Sequence, residues 1–192
     1  MSKCKQQIAS AAASLIYEEG YDYEIAKHKA SSSFACTKMP KNSEVYAELL
    51  NYVKTTALEK NQQLFLIQKQ IALEAMQFLN DYRPLIVGQL LDGIAAPYTA
   101  IKLHLFASTH EEVIFFLEQK KISYETHELS LKMGKHYIQY PSLSFFVDKT
   151  QLELIIFPDD RQHKIAPISP INNKPMKRIT AKKFQTITGL NK

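Results

Sequence analysis

The stretch that decides the fold is Val87–Phe106, which reads VGQLLDGIAAPYTAIKLHLF. It contains the end of one apolar run, Leu85–Leu91, and the whole of a second, Ile101–Phe106. Between them stands Asp92-Gly93, a pair typical of tight turns because both residue types tolerate a left-handed backbone. The pattern predicts two β-strands of one sheet, joined by a turn and a short linker.

Further apolar runs continue the sheet toward the C-terminus. One of them is apolar except for Glu153, as expected of a strand that is covered on both faces. Helical periodicity recurs in two shorter segments, and Thr180 stands where it can cap the second of them. The predicted strands are Ser123–Leu129, Leu143–Val147 and Leu152–Phe157, and the predicted helices are His110–Gln119 and Ala181–Thr188.

The first 80 residues are predicted to be helical. Segment 4–18 is rich in alanine, and a second helix is predicted over Tyr23–Phe34. From residue 43 to residue 80 the apolar positions recur in steps of three and four, which indicates one amphipathic helix or two that are broken near Asn61. Asn42 or Ser43 can cap this segment. Its apolar stripe fits core packing or an interface with a partner helix, and the sequence leaves both open.

The composition is that of a chain with a real core. Of the 192 residues, 45% are apolar and 22% are charged, which argues against disorder along the whole length. We expect an α+β / α/β fold, with an N-terminal helical region over 1–80 and a small mixed sheet with helices over 81–192. Because the second part is too short to bury both faces of a sheet, the two parts are expected to share one core.

Charge and cysteine content give weaker indications. The formal net charge of +5 permits contact with nucleic acid but does not require it. Cys4 and Cys36 form no Cys-x-x-Cys pair, so neither a disulfide framework nor a zinc site is predicted, and a cytoplasmic location is expected. The run Ile8–Ile16 is interpreted as a helix rather than a signal peptide. No uninterrupted apolar run approaches 18 residues, so no membrane span is expected.

The segment Val87–Phe106 resembles the nucleotidyltransferase-like superfamily, in which a Gly-Ser turn follows the first strand and an Asp-x-Asp pair lies on the second. It is similar to a little-described bacterial group with the segments Val-Gly-x-x-Leu-Ser-Gly-Thr and His-Ser-Asp-Ile-x-Leu-His-Leu-Phe. Ala11–Ala30, residues 82–84 and Leu152–Pro158 resemble further parts of that group, so the likeness covers most of the chain. It implies a small mixed β-sheet of nucleotidyltransferase type.

The resemblance also implies a two-metal site, which this chain does not complete. Nucleotidyl transfer relies on two Mg²⁺ ions, held by carboxylates, that stabilise charge on the reacting oxygens. By position, the two aspartates fall on Ala100 and Lys102, the serine of the turn on Asp92 beside Gly93, and a third acid on Glu153. A methyl group binds no cation and an ammonium group repels one. The degenerate positions therefore predict no catalytic residue, no metal and no cofactor.

Two other interpretations of the acidic residues remain. The favoured one is that Lys102 forms an ion pair with Glu153 and replaces the charge of a metal ion. The other is that Asp92, His104 and Glu153 together hold a transition metal, which their spacing does not require.

One basic cluster stands near the C-terminus, at Lys174, Lys177 and Arg178. It could contact the phosphates of a nucleotide or a nucleic acid. The favoured interpretation is a solvated face, because no aromatic residues alternate with the basic ones to stack on bases.

Two functions follow as hypotheses. The first is a non-catalytic nucleotidyltransferase-like protein, a pseudoenzyme that works as a cytoplasmic adaptor. It would hold a helix or tail of a protein partner in an apolar groove, within a bacterial secretion apparatus or another multiprotein assembly. The alternative is a residual nucleotide- or nucleic-acid-binding protein, or a nucleotidyltransferase with an atypical site at Lys102, Glu153 and the basic cluster.

Overall fold

The computed structural model describes residues 3–34, 38–158 and 165–189, and Cys36 lies outside them. The chain divides into two compact units. Unit 1 comprises Met1–Leu66, Ile94–Thr99 and Pro170–Asn173, and unit 2 comprises Ile67–Gly93, Ala100–Ser169 and Lys174–Lys192. The core that the two predicted parts were expected to share remains a prediction.

The described residues form an α+β fold with six α-helices and one five-stranded mixed sheet. None of these helices has the length and apolar character needed to cross a bilayer. The helices are α1 (Lys3–Glu19), α2 (Tyr23–Ser31), α3 (Asn42–Thr55), α4 (Leu58–Phe78), α5 (His110–Gln119) and α6 (Ala181–Ile187). The strands are β1 (Leu85–Val87), β2 (Ile101–Phe106), β3 (Glu125–Met133), β4 (His136–Val147) and β5 (Thr150–Phe157).

Unit 1 is built on small side chains of α1. Ala9, Ala12 and Ala13 are completely buried and lie in the same cluster as the buried residues of α2 and α3. Alanine at these positions lets neighbouring helices approach closely, since each side chain adds only a methyl group. The apolar stripe of α3 is buried in this cluster through Val45 and Leu49, so core packing is the correct interpretation for that half of the 43–80 segment.

The helical segment breaks earlier than predicted. α3 ends at Thr55, and Asn61 is a buried residue within α4 rather than a breakpoint. The Asn61 side-chain oxygen accepts a hydrogen bond of 2.8 Å from the backbone N–H of Ala95. The N-terminal end of α3 also differs from the prediction: Lys41 is its N-cap residue, and the Glu44 carboxylate accepts a hydrogen bond from the Lys41 backbone N–H.

The middle of α4 reverses the usual amphipathic pattern. Gln68 and Lys69 are buried there, whereas Leu66 and Ile67 are 62% and 54% exposed. The Lys69 ammonium donates a hydrogen bond of 2.9 Å to the backbone carbonyl of Thr188. Burial lowers the pKa of Lys69. In the second half of the 43–80 stripe, Ile71, Met76 and Leu79 are buried, so core packing is correct for them, whereas Ile67 is exposed.

The turn between α1 and α2 depends on a glycine. Gly20 has a φ of +73°, and a Cβ built on it would lie 2.7 Å from the Cβ of Tyr98. Both the left-handed backbone and the close approach of residue 98 exclude a side chain at this position.

We predict that Gly20→Ala destabilises the protein by about 2 kcal/mol or more, because left-handed strain and a steric clash add together. The matched control is Gly134→Ala, where φ is +62° but nothing lies within 4 Å of the added Cβ. Left-handed strain alone should cost the control about 1 kcal/mol. Urea unfolding of the two variants measures the difference, and equal losses would contradict the close approach.

The sheet of unit 2 has the strand order β1-β2-β5-β4-β3. The central pair, β2 and β5, is parallel, and the other neighbouring pairs are antiparallel. The predictions for β2, α5 and the Thr180 cap of α6 are confirmed, and β3, β4 and β5 each include most or all of the predicted strand. α2 ends three residues before the predicted Phe34.

The first predicted strand is shorter than the apolar run. β1 ends at Val87, Gly88 takes a φ of +89°, and Gln89–Asp92 form a 3-10 helix. A strand would turn Leu90 and Leu91 to opposite faces, whereas the 3-10 helix buries both. The prediction of strand over Leu85–Leu91 is therefore wrong beyond residue 87.

The two faces of the sheet differ in character. One face is entirely apolar where β2, β4 and β5 meet: Leu103, Leu143 and Leu154 are completely buried. The register assigns Lys102, Glu153 and the buried serines of β4 to the other face, because successive side chains alternate along each strand. We call this second face the mixed face, and the predicted site lies on it.

Candidate functional site

The parallel ladder between β2 and β5 places Lys102 opposite Glu153. The Lys102 ammonium lies 2.7 Å from a Glu153 carboxylate oxygen, and the Ser142 hydroxyl donates a hydrogen bond of 3.4 Å to the other oxygen. The Glu153 side chain is 16% exposed and that of Lys102 is 41% exposed. The predicted ion pair is therefore present, with its carboxylate the more buried partner.

The other degenerate positions add no ligand to this pair. Ala100 directly precedes β2 and carries only a methyl group, and Asp92 is exposed at the end of the 3-10 helix before Gly93. The residue that pairs with Lys102 across the β1–β2 ladder is Val87. These side chains do not fit a two-metal centre, because one carboxylate already bound to an ammonium cannot hold two Mg²⁺ ions.

A transition-metal site is not formed either. Within residues 3–34, 38–158 and 165–189, no three His, Cys, Asp or Glu side chains are grouped to hold a metal ion. The alternative trio of Asp92, His104 and Glu153 is thus not assembled as a ligand set.

His104 lies on the mixed face, two residues after Lys102 on β2. It is 1% exposed, its ring centroid lies 4.7 Å from that of Phe157, and its Nδ1 atom has no hydrogen-bond partner among the described residues. Burial, with smaller contributions from Arg178 and Lys102, lowers its pKa to about 3. His104 is therefore a neutral imidazole at physiological pH.

The far end of the mixed face is aromatic, and two guanidinium groups lie against its rings. Phe106 and Phe157 stack at 5.6 Å, and Tyr140 lies 4.5 Å from Phe157. The Arg178 guanidinium carbon lies 5.5 Å and 5.9 Å from the Phe106 and Phe157 centroids, and that of Arg83 lies 5.9 Å from the Phe106 centroid. Such contacts are cation–π interactions.

The basic cluster is split by this arrangement. Arg178 is half-buried against the rings, and burial lowers its pKa, whereas Lys174 and Lys177 are exposed. Sequence reasoning did not anticipate that Arg178 lies on the sheet or that Ser142 contacts Glu153. The available signal was the even spacing of Lys102 and Phe106 on one strand and of Glu153 and Phe157 on another. An even spacing along a strand puts the charged and the aromatic side chain on the same face.

The chain was compared with protein-family models, with curated proteins and with solved structures, and no match was found. The likeness to nucleotidyltransferases therefore rests on the sequence segments given above.

We predict a measurable coupling between Lys102 and Glu153. In a double-mutant cycle, Lys102→Met should cost more stability in the native background than in the Glu153→Gln background. In the native background this substitution leaves the Glu153 carboxylate without its ammonium partner. Since Lys102 is partly exposed, the coupling should be about 1 kcal/mol. The free energy of unfolding in urea provides the measurement.

The control is the same cycle at Lys60 and Glu18, an ion pair whose side chains are 48% and 36% exposed. There the coupling should be about 0.3 kcal/mol. Equal couplings at the two pairs would show that the β2–β5 pair gains nothing from its burial.

We predict that His104 makes the protein less stable in acid. Between about pH 6.5 and about pH 3 the unfolded chain protonates His104 while the folded chain does not, so stability falls as the pH decreases. The maximal slope is about 1.4 kcal/mol per pH unit. Urea unfolding from pH 7.5 to 4.5 should give a flatter curve for His104→Gln than for the native protein. Parallel native and His104→Gln curves would refute the prediction.

Proposed function

We propose that this chain is a non-catalytic protein of nucleotidyltransferase-like design that acts by binding a protein partner. The observation that supports this proposal is the ion pair between Lys102 and Glu153, at 2.7 Å. An ammonium group occupies the carboxylate that the resemblance assigns to a metal ion. Phosphoryl transfer of this kind depends on divalent cations to neutralise charge on the reacting oxygens.

The proposal extends to the cellular role. We place the protein in the cytoplasm, as an adaptor that holds a helix or tail of another protein in a bacterial assembly such as a secretion apparatus. The cysteine content favours a reducing compartment. Exposed apolar side chains on α4, chiefly Leu66 and Ile67, favour contact with another protein.

A second candidate is a nucleotide- or nucleic-acid-binding protein. It is favoured by one observation, the two guanidinium groups of Arg83 and Arg178 beside the Phe106 ring. Arginine binds phosphate through paired N–H groups. This candidate requires no metal and no catalysis.

Calorimetric titration separates the two candidates. The native protein should give no Mg²⁺-dependent heat with ATP, GTP, CTP or UTP, because the described residues of its site form no cation-binding carboxylate cluster. Radiolabelled nucleotide should not be incorporated into any product. Tight, Mg²⁺-dependent binding of one nucleotide, or its turnover, would overturn the proposed function.

A designed variant tests the basis of the proposal. Ala100→Asp combined with Lys102→Asp restores the carboxylates that the resemblance places beside Glu153, so the double variant should bind Mn²⁺. The matched control combines Ala100→Asn and Lys102→Asn, which removes the ammonium without adding carboxylates. Electron paramagnetic resonance of free Mn²⁺ measures the uptake. Uptake by the native protein, or none by the aspartate variant, would contradict the assigned positions.

A further inference from the structure

A cavity of about 370 Å³ opens in unit 2 beside β1 and the start of α6. The residues that line it include the apolar Leu85, Met176 and Ile179 and the cationic Arg178 and Lys183. Among the described residues, no aspartate or glutamate lines it. The volume lies within the range of sites that hold small ligands or single side chains.

The backbone around the cavity is fixed. Ile179 pairs with Ile86 of β1, with hydrogen bonds of 3.0 Å and 3.2 Å in the two directions. The side chain of Arg178, the residue before Ile179, packs on the aromatic end of the mixed face. The guanidinium group of Arg178 is thereby held at a defined place. Lys183, which follows Ile179 on α6, supplies the second cation.

The lining selects among ligands. Two cations favour an anion, and a guanidinium group matches the planar shape of a carboxylate. The apolar side chains beside them require that the anion carry an apolar group. A nucleoside triphosphate, with several charges and a polar sugar, matches this lining poorly.

We propose that this cavity binds the C-terminal residue of a partner protein, with its free carboxylate against Arg178 and Lys183 and an aliphatic or aromatic side chain against Leu85, Met176 and Ile179. The inference rests on the proposed function, since it gives the adaptor a defined ligand, the tail of its partner. Capture of a terminal carboxylate is a known mode of peptide recognition. It requires no change in the rest of the fold.

The test uses the full-length ¹⁵N-labelled protein and hexapeptides of the sequence Gly-Ser-Gly-Ser-Ala-X, in which X is Leu, Val or Phe. Each peptide is prepared as the free acid and as the C-terminal amide. The free acids should shift the backbone amide signals of Leu85, Ile179 and Thr180, and the amides should not. Equal shifts with acid and amide, or no shift with any peptide at millimolar concentration, would overturn the proposal.

Two lysines on α6 provide a matched pair of variants. Lys183 lines the cavity and Lys182 does not, although both are exposed on the same helix. Lys183→Gln should weaken binding of the free-acid peptides about tenfold, the loss expected for one charged hydrogen bond. Lys182→Gln should leave the affinity unchanged. If Lys182→Gln weakened binding and Lys183→Gln did not, the peptides would not bind in this cavity.

Further titrations distinguish a protein terminus from a simple anion, and the cavity proposal from the proposed function. Sodium acetate and inorganic phosphate should give no comparable shifts at the concentration of the peptides; equal shifts would reveal a general anion site and overturn the assignment to a protein terminus. Nucleotide with Mg²⁺ is tested separately, at Lys102 and Glu153. If the peptides fail and the nucleotides also fail, the cavity proposal falls while the proposed function stands.

Discussion

The parallel register between β2 and β5 is the constraint on which the site depends. It fixes six consecutive residue pairs, from Ile101 with Leu152 to Phe106 with Phe157. Because side chains alternate, one register places the ion pair, the buried imidazole and the aromatic stack on a single face. A slip of one residue would bring Lys102 and Glu153 to opposite faces and would bury one of the two charges among leucines.

The ion pair is tolerated because of where it lies in the strands. Lys102 and Glu153 are each the second residue of the six-residue parallel ladder, so the ammonium reaches solvent while the carboxylate is mostly covered. A pair at the centre of the sheet would lose the hydration of both groups and would be worth less than two apolar side chains. The serine hydroxyl of β4 supplies part of what solvent no longer gives to the carboxylate. These features explain how a charged pair persists in otherwise apolar strands.

Much of the secondary structure could be predicted from local pattern, and the exceptions have causes outside the segment concerned. Ile101–Phe106 and His110–Gln119 were correct to the residue because apolar runs and helical spacing are properties of the segment itself. The 3-10 helix at Gln89–Asp92 was missed because an apolar run does not reveal that Gly88 adopts a positive φ. The sequence predicts a break near Asn61 because the partner of this side chain, the Ala95 backbone, lies 34 residues away and is not visible in the local pattern.

The candidate site, too, could be predicted only in part. The pair of Lys102 and Glu153 was predicted because the resemblance places the second aspartate and the third acid of the superfamily beside each other, at these two positions. Arg178 was assigned to a solvated cluster, since nothing in its neighbourhood of lysines indicates that the segment returns to the sheet. The resemblance itself finds no independent match in known families or structures, so the type of sheet is still a hypothesis and only its α+β class is established.

The charges on the mixed face bear on both proposals together. A site for divalent cations must be net negative before the ions arrive, since carboxylates supply the attraction. Here the single carboxylate of Glu153 is matched by Lys102, His104 stays neutral, and Arg83 and Arg178 add positive charge at the aromatic end. Among these described groups the balance is positive. Such a balance disfavours Mg²⁺ and favours an anion, so the charges of this face agree with both the proposed function and the proposed ligand.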